Sequence, residues 1–287
     1  LTQSDTDFAY QILDIVLESF ELKPEKVSFQ VELDNTPRPP GLSLSSAGKA
    51  HRYLAHMVQG TDKKDGQARY LAGLDMGSIA HDYLRECIFA HPDVTLTDAE
   101  REVTLAGTNG HIDGFITFDG LRVLLDIKCV NLYTFNSLDP RNPHDNWYKR
   151  TRSWAAGNFV FDAVEAFQND DFKKDYIAQV ACYEAALSAE GEEWDATAFI
   201  LYCRDTSHIA VGLFHPANWQ EIVDGTQEKI ATVLDNPDPF EYDTCWDAVV
   251  GASPHIVCQY CPYLNECFDI KTTVYRGKPR HQILSIR

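Results

Sequence analysis

The chain has 287 residues, 44% of them hydrophobic and 24% charged, and a formal net charge of −18. That length can bury a full core, as one large domain or as a domain with appendages. The acidic balance excludes broad, nonspecific nucleic-acid binding, yet it leaves room for a local basic groove beside a metal-neutralised centre.

No apolar run approaches the roughly 18 residues of a membrane span, and no signal-peptide pattern opens the chain. No membrane partner and a cytoplasmic location are therefore expected, with the start at Leu1 leaving room for a trimmed leader.

Apolar positions at helical spacing (Phe8, Ile12, Ile15, Val16, Phe20) predict an amphipathic helix over residues 5–22. Pro37, Pro39 and Pro40 mark a linker, so residues 1–42 read as an N-terminal helix and linker. Ser45 and Ser46 are the expected N-cap of a short helix carrying Lys49, His51, Arg52 and His56. A second helical pattern runs from Gln67 to Ala90. In it Gly77 and His81 stand four apart on one face, and the glycine would let a neighbouring element approach the histidine.

Residues 99–105 are predicted to be a strand leading into the most informative stretch. Residues 111–118 alternate in character, 121–129 form an apolar β-branched run, and Asp119-Gly120 between them is a hairpin signal. A two-residue loop pairs 118 with 121 and places Asp113 opposite Asp126. His111, Asp113, Asp126 and Lys128 then share one face. Opposed residues have Cβ atoms about 5 Å apart, and like charges there repel. Two carboxylates in that position call for a cation. With His81 they make a site for Mg²⁺ or Mn²⁺, hard ions that prefer oxygen and tolerate an imidazole. Lys128 would orient an attacking water or neutralise developing charge, and the chemistry that fits is phosphodiester hydrolysis.

Residues 131–175 read as a polar, aromatic insertion. Its Trp147, Lys149, Arg150, Arg152 and Trp154 interleave cations with rings, as nucleic-acid strands require, although anchoring rings on a surface insertion show the same pattern. A helix follows over Asp175–Ala189, with Gln179 and Tyr183 four apart. Strands are expected over Ala196–Arg204 and His208–Phe214, paired through Asp205-Thr206-Ser207, and a further helix over Trp219–Leu234.

Of eight cysteines, Cys87, Cys129, Cys182, Cys203 and Cys245 are scattered and read as small, reduced residues. Cys258-x2-Cys261-x5-Cys267 is instead a chelating group. The tail 269–287 carries Lys271, Arg276, Lys278, Arg280 and Arg287, and could touch phosphates or be a solvated terminus.

Asp113 followed by Asp126-x-Lys128 resembles the PD-(D/E)XK nuclease signature. Gly77-Ser-Ile-Ala-His81 is similar to the G-x-x-x-H helix of RecB-type nucleases. Gly110-His-Ile-Asp113-Gly114 is similar to their G-h-h-D-G strand, and Gln179-Val-Ala-Cys-Tyr183 to their Q-x-x-x-Y helix. The cysteine cluster resembles that of AddB-type and CRISPR-associated RecB-like nucleases. The match runs over 43–268, most of the chain.

The resemblance implies an α/β, restriction-endonuclease-like mixed sheet flanked by helices. It implies metals held by His81, Asp113, Asp126 and the Ile127 carbonyl, with Lys128 assisting catalysis and Gln179 and Tyr183 positioning DNA or active-site groups. The activity implied is that of a DNA exonuclease on single strands or duplex ends, in recombination, repair or phage DNA processing. A helicase, recombinase or single-strand-binding protein is the partner type.

The resemblance also implies a [4Fe–4S] cluster on Cys258, Cys261 and Cys267, with zinc as the alternative, clipping the end of the domain to its beginning. Ala50 stands where the family has its fourth cysteine. His51 is then the favoured fourth ligand, Cys87 or Cys245 is another source, and an empty, decayed site is the third possibility. Two further function classes remain: a catalytically silent DNA-binding or complex-assembly module of the same fold, and a small-molecule metal hydrolase. The second leaves the Gln179/Tyr183 helix unexplained.

Overall fold

The computed structural model describes residues 2–22, 41–61, 68–143, 157–168, 173–246, 248, 250, 252–254, 258, 261–275 and 278–287. Three helices come first: α1 (Gln3–Leu22), α2 (His51–Val58) and α3 (Ala68–Phe89). Five strands follow: β1 (Thr95–Thr97), β2 (Glu102–Leu105), β3 (Thr108–His111), β4 (Gly114–Phe118) and β5 (Leu121–Val130). Then come α4 (Leu132–Leu138), β6 (Phe159–Asp162), α5 (Ala163–Gln168) and α6 (Lys174–Ala189). The remainder is β7 (Ala196–Cys203), β8 (Ile209–Leu213), α7 (Trp219–Asp235), a single turn at Leu264–Cys267, β9 (Phe268–Tyr275) and β10 (Lys278–Ile286). Among the described residues, no helix is long and apolar enough to cross a membrane.

The fold is mixed α/β. Six strands form the central sheet in the order β1-β4-β5-β7-β8-β6, with β5–β7 and β6–β8 parallel and the other neighbours antiparallel. Helices cover both faces, which is why β5 and β7 read as near-continuous apolar runs. Period-two alternation separates two cores. Leu124, Phe199 and Leu201 point to the side packed by α6 and α7. Val123, Leu125, Ile127, Ala198 and Ile200 point to the side packed by α1 and α3.

The local signals explain most elements. Thr2 and Asp5 cap α1 reciprocally: the Asp5 amide donates to Thr2 Oγ1 at 3.2 Å and the Thr2 amide to Asp5 Oδ2 at 2.9 Å. Helix α1 then buries Ala9, Ile12, Leu13 and Val16 on one face. The Asp119-Gly120 turn has both residues at positive φ, +49° and +78°, as a two-residue hairpin with right-handed strand twist requires. Helix α6 buries residues all round, from Ile177 to Leu187, because it lies between the sheet and α7.

The structure differs from the sequence reading in five places. Residues 111–118 are not one strand: His111 ends β3, which pairs with β2 in a separate two-stranded sheet, and β4 begins at Gly114. Gly114 has φ +134°, and a Cβ there would stand 3.0 Å from the Thr97 carbonyl oxygen, so the break comes at a glycine. Ser43, rather than Ser45 or Ser46, does the capping, and it caps a short 3₁₀ turn; α2 starts after Ala50 without a side-chain cap.

The 131–175 stretch carries the sheet's edge strand β6, and its Phe159, Phe161 and Phe167 are buried, so part of it belongs to the core. Among the described residues, a Cβ at Gly77 would meet nothing within 4 Å, so no described element uses that glycine for a close approach. Phe268–Tyr275 and Lys278–Ile286 pair antiparallel as β9 and β10, where the sequence reading placed only a basic tail.

Candidate metal and nuclease site

The β4–β5 register carries the site. Gly114 pairs with Leu125 and Phe118 with Leu121, so Asp113 stands just before the strand at the level of Asp126. Asp126 and Lys128 share the Leu124 face, under α6. The parallel pairing of β5 with β7 places Asp126 beside Phe199 and Lys128 beside Leu201. Apolar neighbours thus surround two charged side chains. Asp113 and Asp126 are only 8% and 2% exposed.

Each charge is held by a specific partner. Asp113 Oδ1 accepts from His81 Nδ1 at 3.0 Å, and Asp113 Oδ2 accepts from the Ile127 amide at 2.6 Å. His81 comes from α3, whose Leu84 and Ile88 pack into the opposite core. Lys128 Nζ lies 2.6 Å from Asp126 Oδ2. That contact is an ion pair, and among the described residues no well-aligned hydrogen-bond donor reaches Asp126 Oδ2. The Lys128 ammonium also sits 5.0 Å from the centre of the Tyr176 ring. Gln179 Nε2 donates to the Tyr183 hydroxyl at 2.9 Å on the buried face of α6.

The electrostatics follow from burial and proximity. Burial, with Asp113 alongside, pushes Asp126 above the usual carboxylate range against the pull of Lys128. Burial also works on Asp113, but the His81 hydrogen bond and charge, with Lys128 and the Ile127 amide, outweigh it and hold Asp113 low. Lys128 is driven down by burial and more strongly up by the two aspartates, so it stays charged. Burial raises the Tyr183 phenol, which therefore acts through its hydrogen bonds as a neutral group.

Two oppositely biased carboxylates, one with an oxygen lacking a directed donor, match the donor chemistry of Mg²⁺ or Mn²⁺. Among the described residues, no group of three or more His, Cys, Asp or Glu side chains stands at the spacing of a loaded ion site. The fit therefore rests on the donor chemistry of the two buried carboxylates and His81.

The structure brings His81, Asp113, Ile127, Asp126 and Lys128 together, with Gln179 and Tyr183 on the helix that covers them. Trp147, Lys149, Arg150, Arg152 and Trp154 lie outside the described residues. Sequence reasoning missed Tyr176, although it stands three residues before Gln179 on α6, and that helical spacing was the available signal.

A second group lies elsewhere. A cavity of about 760 Å³ is lined by Cys245, Cys258, Cys261 and Cys267, together with His51, Lys49, Lys229 and Asp175. Gly48 lets the chain approach the start of α6 there: a Cβ would fall 2.5 Å from the Asp175 Cα. All eight cysteines are free thiols. His51 faces this cavity with its ring stacked 5.4 Å from that of Tyr242. Helix α2 meets the C-terminal segment through several contacts. Arg52 Nη2 donates to the Arg287 carbonyl at 2.5 Å, the His56 ring stacks on Tyr263 at 4.8 Å, and Tyr53 meets Tyr263 edge-on at 5.2 Å.

No protein-family model matches this chain, and no curated protein matches it. Among solved structures, that of SSO0001 overlaps 88% of this chain and 94% of its own at 12% identity, with a TM-score of 0.41. A likeness that loose carries no argument about either fold or function.

Proposed function

We propose that the protein is a Mg²⁺- or Mn²⁺-dependent deoxyribonuclease of the PD-(D/E)XK, RecB-like kind, with a restriction-endonuclease-like core. Its substrates are single strands or DNA ends, and its mode is exonucleolytic. The observation that carries this reading is the buried convergence of His81, Asp113, Asp126 and Lys128 under the Gln179/Tyr183 helix.

His81, Asp113, Asp126 and the Ile127 carbonyl would hold the ions. When bound, they lower the pKa of water and neutralise charge on the scissile phosphate. The chain's own groups do the rest. Asp113, fixed by the Ile127 amide, keeps its carboxylate oriented and ionised. Lys128 keeps its proton and presents positive charge toward the attacking water and the phosphate oxygen that gains charge in in-line attack. Tyr183 accepts from Gln179 within the covering helix and remains neutral.

Cys258, Cys261 and Cys267 would hold a soft-metal centre, a [4Fe–4S] cluster with zinc as the alternative, because thiolates prefer such metals. Its role is structural: it stabilises the C-terminal segment against α2.

The test is incubation of labelled single- and double-stranded DNA with Mg²⁺ or Mn²⁺, beside Asp126→Ala. Metal-dependent cleavage by the unmodified protein, lost in the variant, is expected. Equal cleavage by both proteins, or none by either with any metal, contradicts the proposal.

A further inference from the structure

The cysteine cavity holds four thiols, one more than the sequence cluster. Cys245 comes from the segment after α7, thirteen residues before Cys258, and lines the same cavity as Cys258, Cys261 and Cys267. His51 shares the cavity wall, but its ring is stacked on that of Tyr242, with centroids 5.4 Å apart.

Two groups on α2 complete the surroundings. Arg52 is buried at 3% exposure, and its Nε has no hydrogen-bond partner. Its Nη2 donates to the Arg287 main-chain oxygen and its Cζ lies 5.2 Å from the centre of the Phe240 ring, while its charge acts on the thiols of Cys245 and Cys267. Among the described residues, no Asp or Glu side chain pairs with it. A buried cation is stabilised by an anion beside it, because burial removes the water that would otherwise screen its charge. Four thiolates around zinc or around an oxidised iron–sulfur cube leave a net negative centre and supply one.

His56 is 1% exposed, with Nε2 3.7 Å from Cys267 Sγ and Nδ1 3.1 Å from the Thr61 hydroxyl. If Thr61 donates to Nδ1, the Nε2 proton faces the sulfur. That is how outer partners support a metal-bound thiolate.

We propose that Cys245 is the fourth ligand of a four-thiolate metal centre with Cys258, Cys261 and Cys267, set beside Arg52 and His56. The ligands then all come from residues 245–267, and α2 joins the centre through charge and hydrogen bonding instead of ligation. This rests on the soft-metal reading above and not on the nuclease reading, and metal content is measured without reference to DNA cleavage.

The experiment is metal and acid-labile sulfide analysis of the anaerobically purified full chain. It is run beside Cys245→Ser, His51→Ala and, as a ligand-loss control, Cys258→Ser. The unmodified protein is expected to carry about four iron and four sulfide per chain, or about one zinc. Cys245→Ser should lose metal as severely as Cys258→Ser, at least several-fold, while His51→Ala keeps it. Metal-free unmodified protein, or retention in Cys245→Ser with loss in His51→Ala, overturns the proposal.

Because a serine variant can fail to fold, alkylation of the unmodified protein is followed by mass spectrometry as a chelator strips the metal. Cys245 should become reactive in step with the other three thiols. Its alkylation while the metal is still in place overturns the assignment.

Discussion

The carboxylate site and the cysteine cavity handle buried charge in opposite ways. In the first, every ionised group is matched within the β4–β5 register or by His81, and short contacts fill the space between them. In the second, thiols surround an open volume of about 760 Å³, and among the described residues the buried Arg52 beside them has no Asp or Glu partner. The first arrangement holds its geometry by strand pairing. The second depends on segments far apart in sequence, drawn together by α2, the start of α6 and the C-terminal hairpin. The carboxylate site is therefore expected to be stable without its metal, and the cavity to depend on what fills it.

The sharpest way to break the comparison is at Lys128. Lys128→Ala removes the one ammonium facing both aspartates, and DNA cleavage should fall by about 10³-fold, as for loss of a preorganised charge in a dry site. Single-turnover assays measure it. A loss below tenfold would place Lys128 outside the chemistry.

Glu184 offers a contrast on the same helix: a buried carboxylate with no cation. Burial raises its pKa to about 7, opposed only by the Thr197 hydroxyl and the Trp219 indole, which donate at 2.5 and 2.6 Å. The folded state holds this proton more tightly than the unfolded chain, whose glutamate titrates near 4.5. The associated stability is complete below about pH 4.5 and is lost as pH rises to about 7, a span worth on the order of 3 kcal/mol. Glu184→Gln should flatten that slope in denaturant titrations at pH 5, 6 and 8. An unchanged slope would show that Glu184 is not the titrating group.

Two glycines of the nuclease-like motifs separate packing from mere presence. A Cβ at Gly110 would fall 2.7 Å from both Leu44 Cβ and Tyr183 Cε1, whereas one at Gly77 meets open space. Gly110→Ala should destabilise by about 1–3 kcal/mol and disturb the Gln179–Tyr183 pair. Gly77→Ala should stabilise α3 by up to about 1 kcal/mol. Thermal unfolding distinguishes them, and equal effects would refute the packing difference.

The same contrast explains what was legible in the sequence. The hairpin could be read because its turn chemistry and period-two pattern are local, and Asp119-Gly120 fixes which residues face each other. The helices α1, α3, α6 and α7 were legible from their spacing, to within a few residues. Strand β6 was not: four residues in a polar region carry too short a pattern, and its partner β8 is some fifty residues away. His111 was misplaced because alternation continues through a backbone break that only Gly114 marks. Cys245 looked isolated because its place beside the other thiols comes from tertiary approach, which no ligand spacing encodes.

The central claim is that Asp113 and Asp126 bind a divalent metal for phosphodiester hydrolysis. Its most direct test is titration of Mn²⁺ into the unmodified protein and into Asp126→Ala, followed by electron paramagnetic resonance of the free ion. The account expects saturable binding by the unmodified protein at the concentrations that support DNA cleavage, and at least tenfold weaker binding by the variant. Equal Mn²⁺ affinity in the two proteins would contradict it.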